Sequence, residues 1–135
     1  VITHLVDTDI CIEALRRRDR RLAARFIEAD ASLSVSAVTV SELLYGAARS
    51  SDPARNRSAV EEFLAMVAVL DLDATDASAA AEVRAELAAA GRPIGGYDVL
   101  IAGQARARSL VVASGNVREF GRVEGLRVED WRGPG

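Results

Sequence analysis

The sequence contains no lysine, one cysteine and one histidine among 135 residues, and its aromatics are one tryptophan, two tyrosines and three phenylalanines. A lone cysteine, Cys11, excludes an intramolecular disulfide framework and argues against a cysteine-based zinc site. His4 lies within an apolar stretch read as a strand, which argues against a His-ligated zinc, a general-base histidine or a His-dependent triad. No apolar run approaches the roughly 18 residues of a membrane span. The opening VITHLVDTDI has no basic start and carries Asp7, unlike a signal peptide. The expectation is a cytoplasmic protein with no membrane partner. A basic excess is missing too. Net charge is −3 with a pI near 5.2, so no global positive field attracts nucleic acid, and any such binding must be local.

The chain has 50% hydrophobic residues, too many for a disordered segment. Its length predicts one domain, residues 1–135, by the usual ~100–200 residues per domain. All 17 basic residues are arginine and alanine occurs 25 times, as a GC-rich genome would produce.

Apolar periodicity predicts short strands alternating with helices. Strands are expected at 2–6, around Leu33 and Val35, at 69–72, at 110–113 and at 126–128. The serines beside Leu33 and Val35 alternate with them, as in a half-buried strand. Helices are expected at 10–17, 22–30, 38–48, 54–67, 76–90 and 97–108. Pro53 suits a first helical turn, and Gly91-Arg92-Pro93 a stop. This alternation implies a three-layer α/β/α sandwich around a mostly parallel sheet. In such folds the site lies outside the carboxyl ends of the strands.

That rule singles out Asp7 and Asp9 after the first strand, Glu42 in the helix after the second, Asp98 in a first helical turn, and Ser114 and Asn116 after strand 110–113. Each has a local explanation. Asp7 caps the next helix. Thr39-Val40-Ser41-Glu42 matches a capping box. Asp98 suits a helix dipole, and Gly115-Asn116 is turn chemistry. Together they would place three carboxylates and an amide on one rim, where the charges repel unless a cation or protons intervene. Hard oxygen ligands suit Mg²⁺ or Mn²⁺. Cys11 is read as a core side chain.

The segments LVDTDICIEAL, SVSAVTVSELLYGA, IGGYDVLIAGQA and LVVASGNVREFGRVEGLRVEDW occur in that order. They resemble the PIN-domain ribonucleases, and more narrowly the toxins of VapBC-type toxin–antitoxin pairs. The resemblance covers nearly the whole chain. It implies a metal-dependent endoribonuclease acting on transfer RNA or another structured RNA. It also implies an antitoxin of the VapB kind that neutralises the enzyme, and a homodimer within a toxin–antitoxin hetero-oligomer. By the same resemblance Asp7, Glu42, Asp98 and Asn116 are catalytic, with Asp7 and Asp98 ligating Mg²⁺, for which Mn²⁺ substitutes. Asn116 stands where a carboxylate or an amide occurs. Ser114 matches a small hydroxyl that binds water or phosphate, and Thr8 and Asp9 are secondary.

In a lysine-free chain, RNA contacts must come from arginine. Arg118 and Arg122 are candidates by position. The run Arg16, Arg17, Arg18, Arg20 and Arg21 is equally readable as solvated surface balancing Asp19, Glu28 and Glu119. Leu43-Leu44-Ala47 and Val99-Leu100 offer apolar faces for self-association or for the core. Two other readings remain. Asp7-Thr8-Asp9 resembles the start of a haloacid dehalogenase-type phosphatase, and an acidic pocket on a parallel sheet resembles a phospho-acceptor receiver; both chemistries usually need a lysine. A PIN domain that binds RNA without cutting is favoured only by Asn116.

Overall fold

Five short strands, β1 (His4–Val6), β2 (Leu33–Ser36), β3 (Ala68–Leu70), β4 (Val111–Ser114) and β5 (Val128–Asp130), form one sheet in the order β3-β2-β1-β4-β5. Every pairing is parallel. The computed structural model describes residues 1–16 and 20–132. The helices are α1 (Thr8–Arg16), α2 (Arg20–Glu28), α3 (Ala37–Ala48), α4 (Pro53–Leu64), α5 (Ala74–Ala89), α6 (Gly96–Ala107) and α7 (Val117–Phe120).

Alternation along β1 splits the core into two layers. Val6 joins Ile10, Cys11, Leu22, Leu33, Val35 and Leu43 on one face, packed by α1 to α4. Leu5 joins Val83, Leu87, Ile101, Val112 and Phe120 on the other, packed by α5 to α7. This is the expected α/β/α sandwich. The chain winds outward from β1 to β3, then returns to place β4 on the other side of β1. The crevice at the carboxyl ends of β1 and β4 is therefore the switch point where doubly wound folds bind ligands.

Several local expectations shift. β2 is buried along its whole length rather than on one face. Its serines are accommodated because Ser34 Oγ donates to the His4 carbonyl at 2.8 Å and Ser36 Oγ accepts from Val38 N–H at 3.1 Å. Ser36 is thus the N-cap of α3, and Thr39 lies inside the first turn, fully buried. The capping box expected at Thr39–Glu42 does not form, which releases Glu42 for other contacts. A reciprocal box does form at α5, where Asp73 and Asp76 each accept the other's backbone N–H at 2.9 and 3.0 Å. The last strand falls at 128–130 rather than 126–128, and α4 ends at Leu64.

α7 is absent from the sequence expectation. Its four residues cannot hold a helix alone. Phe120, fully buried, and Val123, 4% exposed, pin it into the second core layer. Truncating a buried phenylalanine typically costs about 3–5 kcal/mol, so this anchor fixes the residues that α7 presents. Of the faces considered for self-association, Leu43, Ala47 and Val99 are buried and Leu44 packs against the same core. They are core residues, while Leu100 beside Val99 is half-buried on α6. No helix among the described residues is long and apolar enough to cross a membrane.

Candidate active site

Asp7 follows β1 directly and is 5% exposed. Its N–H donates to the Ala113 carbonyl at 2.9 Å, extending the ladder to β4. One carboxylate oxygen accepts from Thr8 N–H at 2.8 Å and the other from Ser114 Oγ at 2.8 Å. Ser114 Oγ accepts in turn from Asn116 N–H at 2.8 Å. A continuous chain of hydrogen bonds therefore crosses the switch point from α1 to the loop after β4.

Glu42 enters from α3. Thr8 Oγ1 lies 2.7 Å from Glu42 Oε1 and 3.0 Å from Thr39 Oγ1. A hydroxyl has one proton and an ionised carboxylate only accepts, so Thr8 donates to Glu42. Asp98 enters from the first turn of α6, whose N-cap Gly95 makes no side-chain cap. Asn116 is the N-cap of α7, yet its side chain caps nothing. Its amide instead donates to Glu119 Oε2 at 3.0 Å and, at the long limit of 3.4 Å, to Asp98 Oδ2. Asp9 Oδ2 accepts from Gly115 N–H at 3.1 Å, while its Oδ1 is buried without a partner.

The electrostatics follow from burial and crowding. Burial pushes the Asp7 carboxyl up to about 7, with Asp9 and Asp98 adding repulsion against the opposing bonds from Ser114 and Thr8. Burial likewise raises Asp98 to about 6, helped by the neighbouring Glu119 charge, a hydrogen bond shared with Glu119, and the charges of Glu42 and Asp9. The same burial, with Asp7 and Asp9 nearby, pushes the Cys11 thiol up and keeps it an inert core side chain.

Asp7, Asp9, Glu42, Asp98, Ser114 and Asn116 thus belong to one rim. Glu119 joins them and was missed from the sequence, where it read only as a surface charge. Its signal was the Asn116-x-x-Glu119 spacing, which puts both side chains on one side of a helical turn. Among the described residues no three carboxylate, imidazole or thiol groups stand as a ready-made cation cage. The donor set nevertheless suits a hard divalent ion. Its groups are carboxylate oxygens, two of them hold protons abnormally tightly, and one buried oxygen of Asp9 has no donor. Mg²⁺ itself needs only one or two carboxylates beside its waters.

The arginines divide. Arg118 is exposed on α7, and its guanidinium forms no hydrogen bond or ion pair among the described residues. Arg122 is not brought into the acidic cluster. It donates to the Pro93 carbonyl at 3.0 Å, ties down the segment before α6, and lines a cleft with Arg106 and Glu86. Arg16 lies 3.6 Å from Glu13 along α1. Arg20 and Arg21 open α2. Arg17, Arg18 and Asp19 lie outside the described residues. His4 sits at the far end of β1, bonded to Glu129 at 2.9 Å, well away from the carboxyl rim.

The PIN domain family pattern matches residues 4–126. The tRNA(fMet)-specific endonuclease VapC of Shigella flexneri is 43% identical over 131 residues, covering 97% of this chain and 99% of that protein. The DNA-bound VapBC structure from Salmonella typhimurium contains a chain 40% identical to this one, with a TM-score of 0.94 over 97% of this chain and 99% of that one. In the VapBC2 structure from Rickettsia felis bound to a promoter DNA fragment, the similar chain is 27% identical, with a TM-score of 0.91 over 96% and 99%.

Proposed function

Because this chain belongs to the PIN domain family, we propose that it is the endoribonuclease toxin of a VapBC-type pair, cleaving RNA phosphodiesters at the acidic rim with the help of Mg²⁺, for which Mn²⁺ substitutes. The observation that carries the reading is the convergence of Asp7, Glu42, Asp98, Asn116 and Glu119 at the β1/β4 switch point of a chain similar over its length to VapC ribonucleases. Transfer RNA is the substrate class assigned, with initiator tRNA the first to test, since that is the named target of the Shigella flexneri relative. A VapB-like antitoxin is the partner, within a toxin–antitoxin hetero-oligomer like the VapBC assemblies it is similar to. An RNA target places the activity in the cytoplasm. A homodimer belongs to the same reading, and sedimentation of the purified chain at two concentrations tests it.

Asp7 and Asp98 are assigned to hold the cation, with Asp9, Glu42 and Glu119 adding negative charge around it. A divalent ion bound there lowers the pKa of a coordinated water and offsets charge on the phosphate. The protein's own groups prepare that site. Ser114 and the Thr8 N–H fix both oxygens of Asp7, so its orientation is set before any ligand arrives. Thr8 holds Glu42 in the same way. Asn116 bridges Asp98 and Glu119 as a neutral donor, which eases the repulsion between them. Arg118 remains available to fork onto a phosphate; Arg122 is assigned to the RNA side only through the segment it holds before α6. The phosphatase and receiver readings find no lysine to hold a phosphate.

The test is cleavage of total RNA and purified tRNA by the wild type and by Asp98→Ala, each with Mg²⁺, Mn²⁺ or EDTA. Discrete fragments from the wild type, lost in EDTA and in the variant, are expected. A folded, antitoxin-free wild type that cuts nothing under any condition overturns the reading in favour of RNA binding without cleavage. A variant that keeps full metal-dependent cleavage overturns the carboxylate assignment.

A further inference from the structure

Arg132 stands beside the acidic rim and is claimed by none of the contacts described so far. It follows Trp131, which is 4% exposed and donates from Nε1 to Glu129 at 3.1 Å. Its own backbone N–H donates to Asp130 Oδ1 at 2.9 Å. Ser114 is paired with Asp130 across β4 and β5, so Arg132 emerges at the level of Asn116, on the carboxyl rim. Its Nε lies 3.9 Å from Asp9 Oδ2, the oxygen that also accepts the Gly115 N–H.

Gly115 makes this placement possible. A Cβ built there would fall inside the Arg132 guanidinium. Gly115 is not among the glycines with positive φ, so the backbone tolerates a side chain there, and what a Cβ would displace is the guanidinium itself. The ion pair itself offers little to folding, since it is long and its side chains are 48% and 30% exposed. The terminal nitrogens of the guanidinium have no hydrogen-bond partner among the described residues. What remains is a cation seated on a glycine, oriented by one carboxylate, next to a rim that otherwise repels phosphate.

We propose that Arg132, seated on Gly115, is a phosphate-binding residue for the RNA strand entering the acidic rim. This rests on the ribonuclease reading. A guanidinium presents paired N–H donors that match two phosphate oxygens, whereas an ammonium acts as a point charge. Asp9 sets the direction of the fork and leaves its other edge for the substrate.

The experiment measures kcat and KM for tRNA cleavage with Mg²⁺ over a range of salt concentrations, for the wild type, Arg132→Ala, Arg132→Lys and Gly115→Ala. Arg132→Ala is expected to raise KM roughly tenfold, the loss of one charge-assisted contact, with kcat nearly unchanged. The plot of log(kcat/KM) against log salt should become shallower by about 0.7–0.9, one phosphate contact fewer. Gly115→Ala should reproduce the effect with Arg132 still present, and Arg132→Lys should recover part of it. Unfolding midpoints of the two Arg132 variants should match the wild type, because the side chain is half-exposed. Wild-type KM and salt slope in Arg132→Ala, or a loss confined to kcat, overturns the inference while leaving the ribonuclease reading intact. A wild type that cleaves no RNA overturns the ribonuclease reading and this inference with it.

Discussion

Replacing Asp7 with asparagine should stabilise the metal-free protein at neutral to alkaline pH and remove its response to Mg²⁺. The folded chain raises this carboxyl from 3.8 to about 7, through burial first and then the charges of Asp9 and Asp98. Ionising it in the folded state therefore costs about 4 kcal/mol more than in the unfolded chain, at roughly 1.4 kcal/mol per pH unit. The folded state binds the proton more tightly, so the favourable contribution is complete below pH ~4 and is lost as pH rises to ~7. Asparagine cannot ionise and escapes that loss. It keeps one oxygen for the Thr8 N–H, but Ser114 loses its carboxylate acceptor, a deficit of about 1 kcal/mol. The net gain at pH 8 is about 2–3 kcal/mol, or roughly 6–12 °C in Tm for a chain of this size. The assay is thermal unfolding by circular dichroism at pH 4, 6 and 8, in EDTA and in excess Mg²⁺. Asp7→Asn should melt above the wild type at pH 8 in EDTA, and at pH 4 the order should reverse slightly, because only the lost Ser114 bond then separates the two. Mg²⁺ should raise the wild-type midpoint and leave the variant's unchanged. A variant less stable than wild type at pH 8 in EDTA would refute the account of Asp7 as a destabilised carboxylate.

Asp76 titrates with the opposite sign. Bonds from Arg108 at 3.1 and 2.8 Å hold its carboxyl below the usual range despite its burial. Its contribution is present above the unfolded pKa of ~3.9 and is lost on further acidification, so Asp76→Asn should flatten the acid limb of the stability–pH curve, read by urea unfolding between pH 2 and 6. Thr8→Val keeps the shape of the side chain and removes its bond to Glu42. It should lower kcat by roughly tenfold or more with an unfolding midpoint reduced by only a few degrees, a buried hydrogen bond being worth ~1 kcal/mol. An unchanged kcat would show that Glu42 needs no such anchor.

Much of this architecture is determined locally and was therefore legible in the sequence. The strands are short apolar runs and the helices carry apolar faces at helical spacing, so alternation alone predicts a covered parallel sheet. Asp7 and Asn116 follow strand ends, Asp98 sits in a first helical turn and Glu42 one turn further into α3, positions that such a sheet gathers on one rim. What lay outside that reading depends on contacts between distant segments. The cap at the start of α3 differs from the local pattern because Ser36, the last residue of a buried strand, takes the role expected of Thr39. α7 carries too few residues for periodicity to register, and only the burial of Phe120 and Val123 makes it a helix that turns Glu119 toward Asp98. Arg122 looked like a site residue by sequence distance, yet it reaches Pro93. Arg132 lies 123 positions from Asp9 in sequence (132 − 9) and meets it only because β5 is parallel to β4. Local pattern decides which elements form and which residues they present. The raised carboxyls at the rim, and the arginine that stands beside them, exist only once strand pairing has excluded water and brought like charges together.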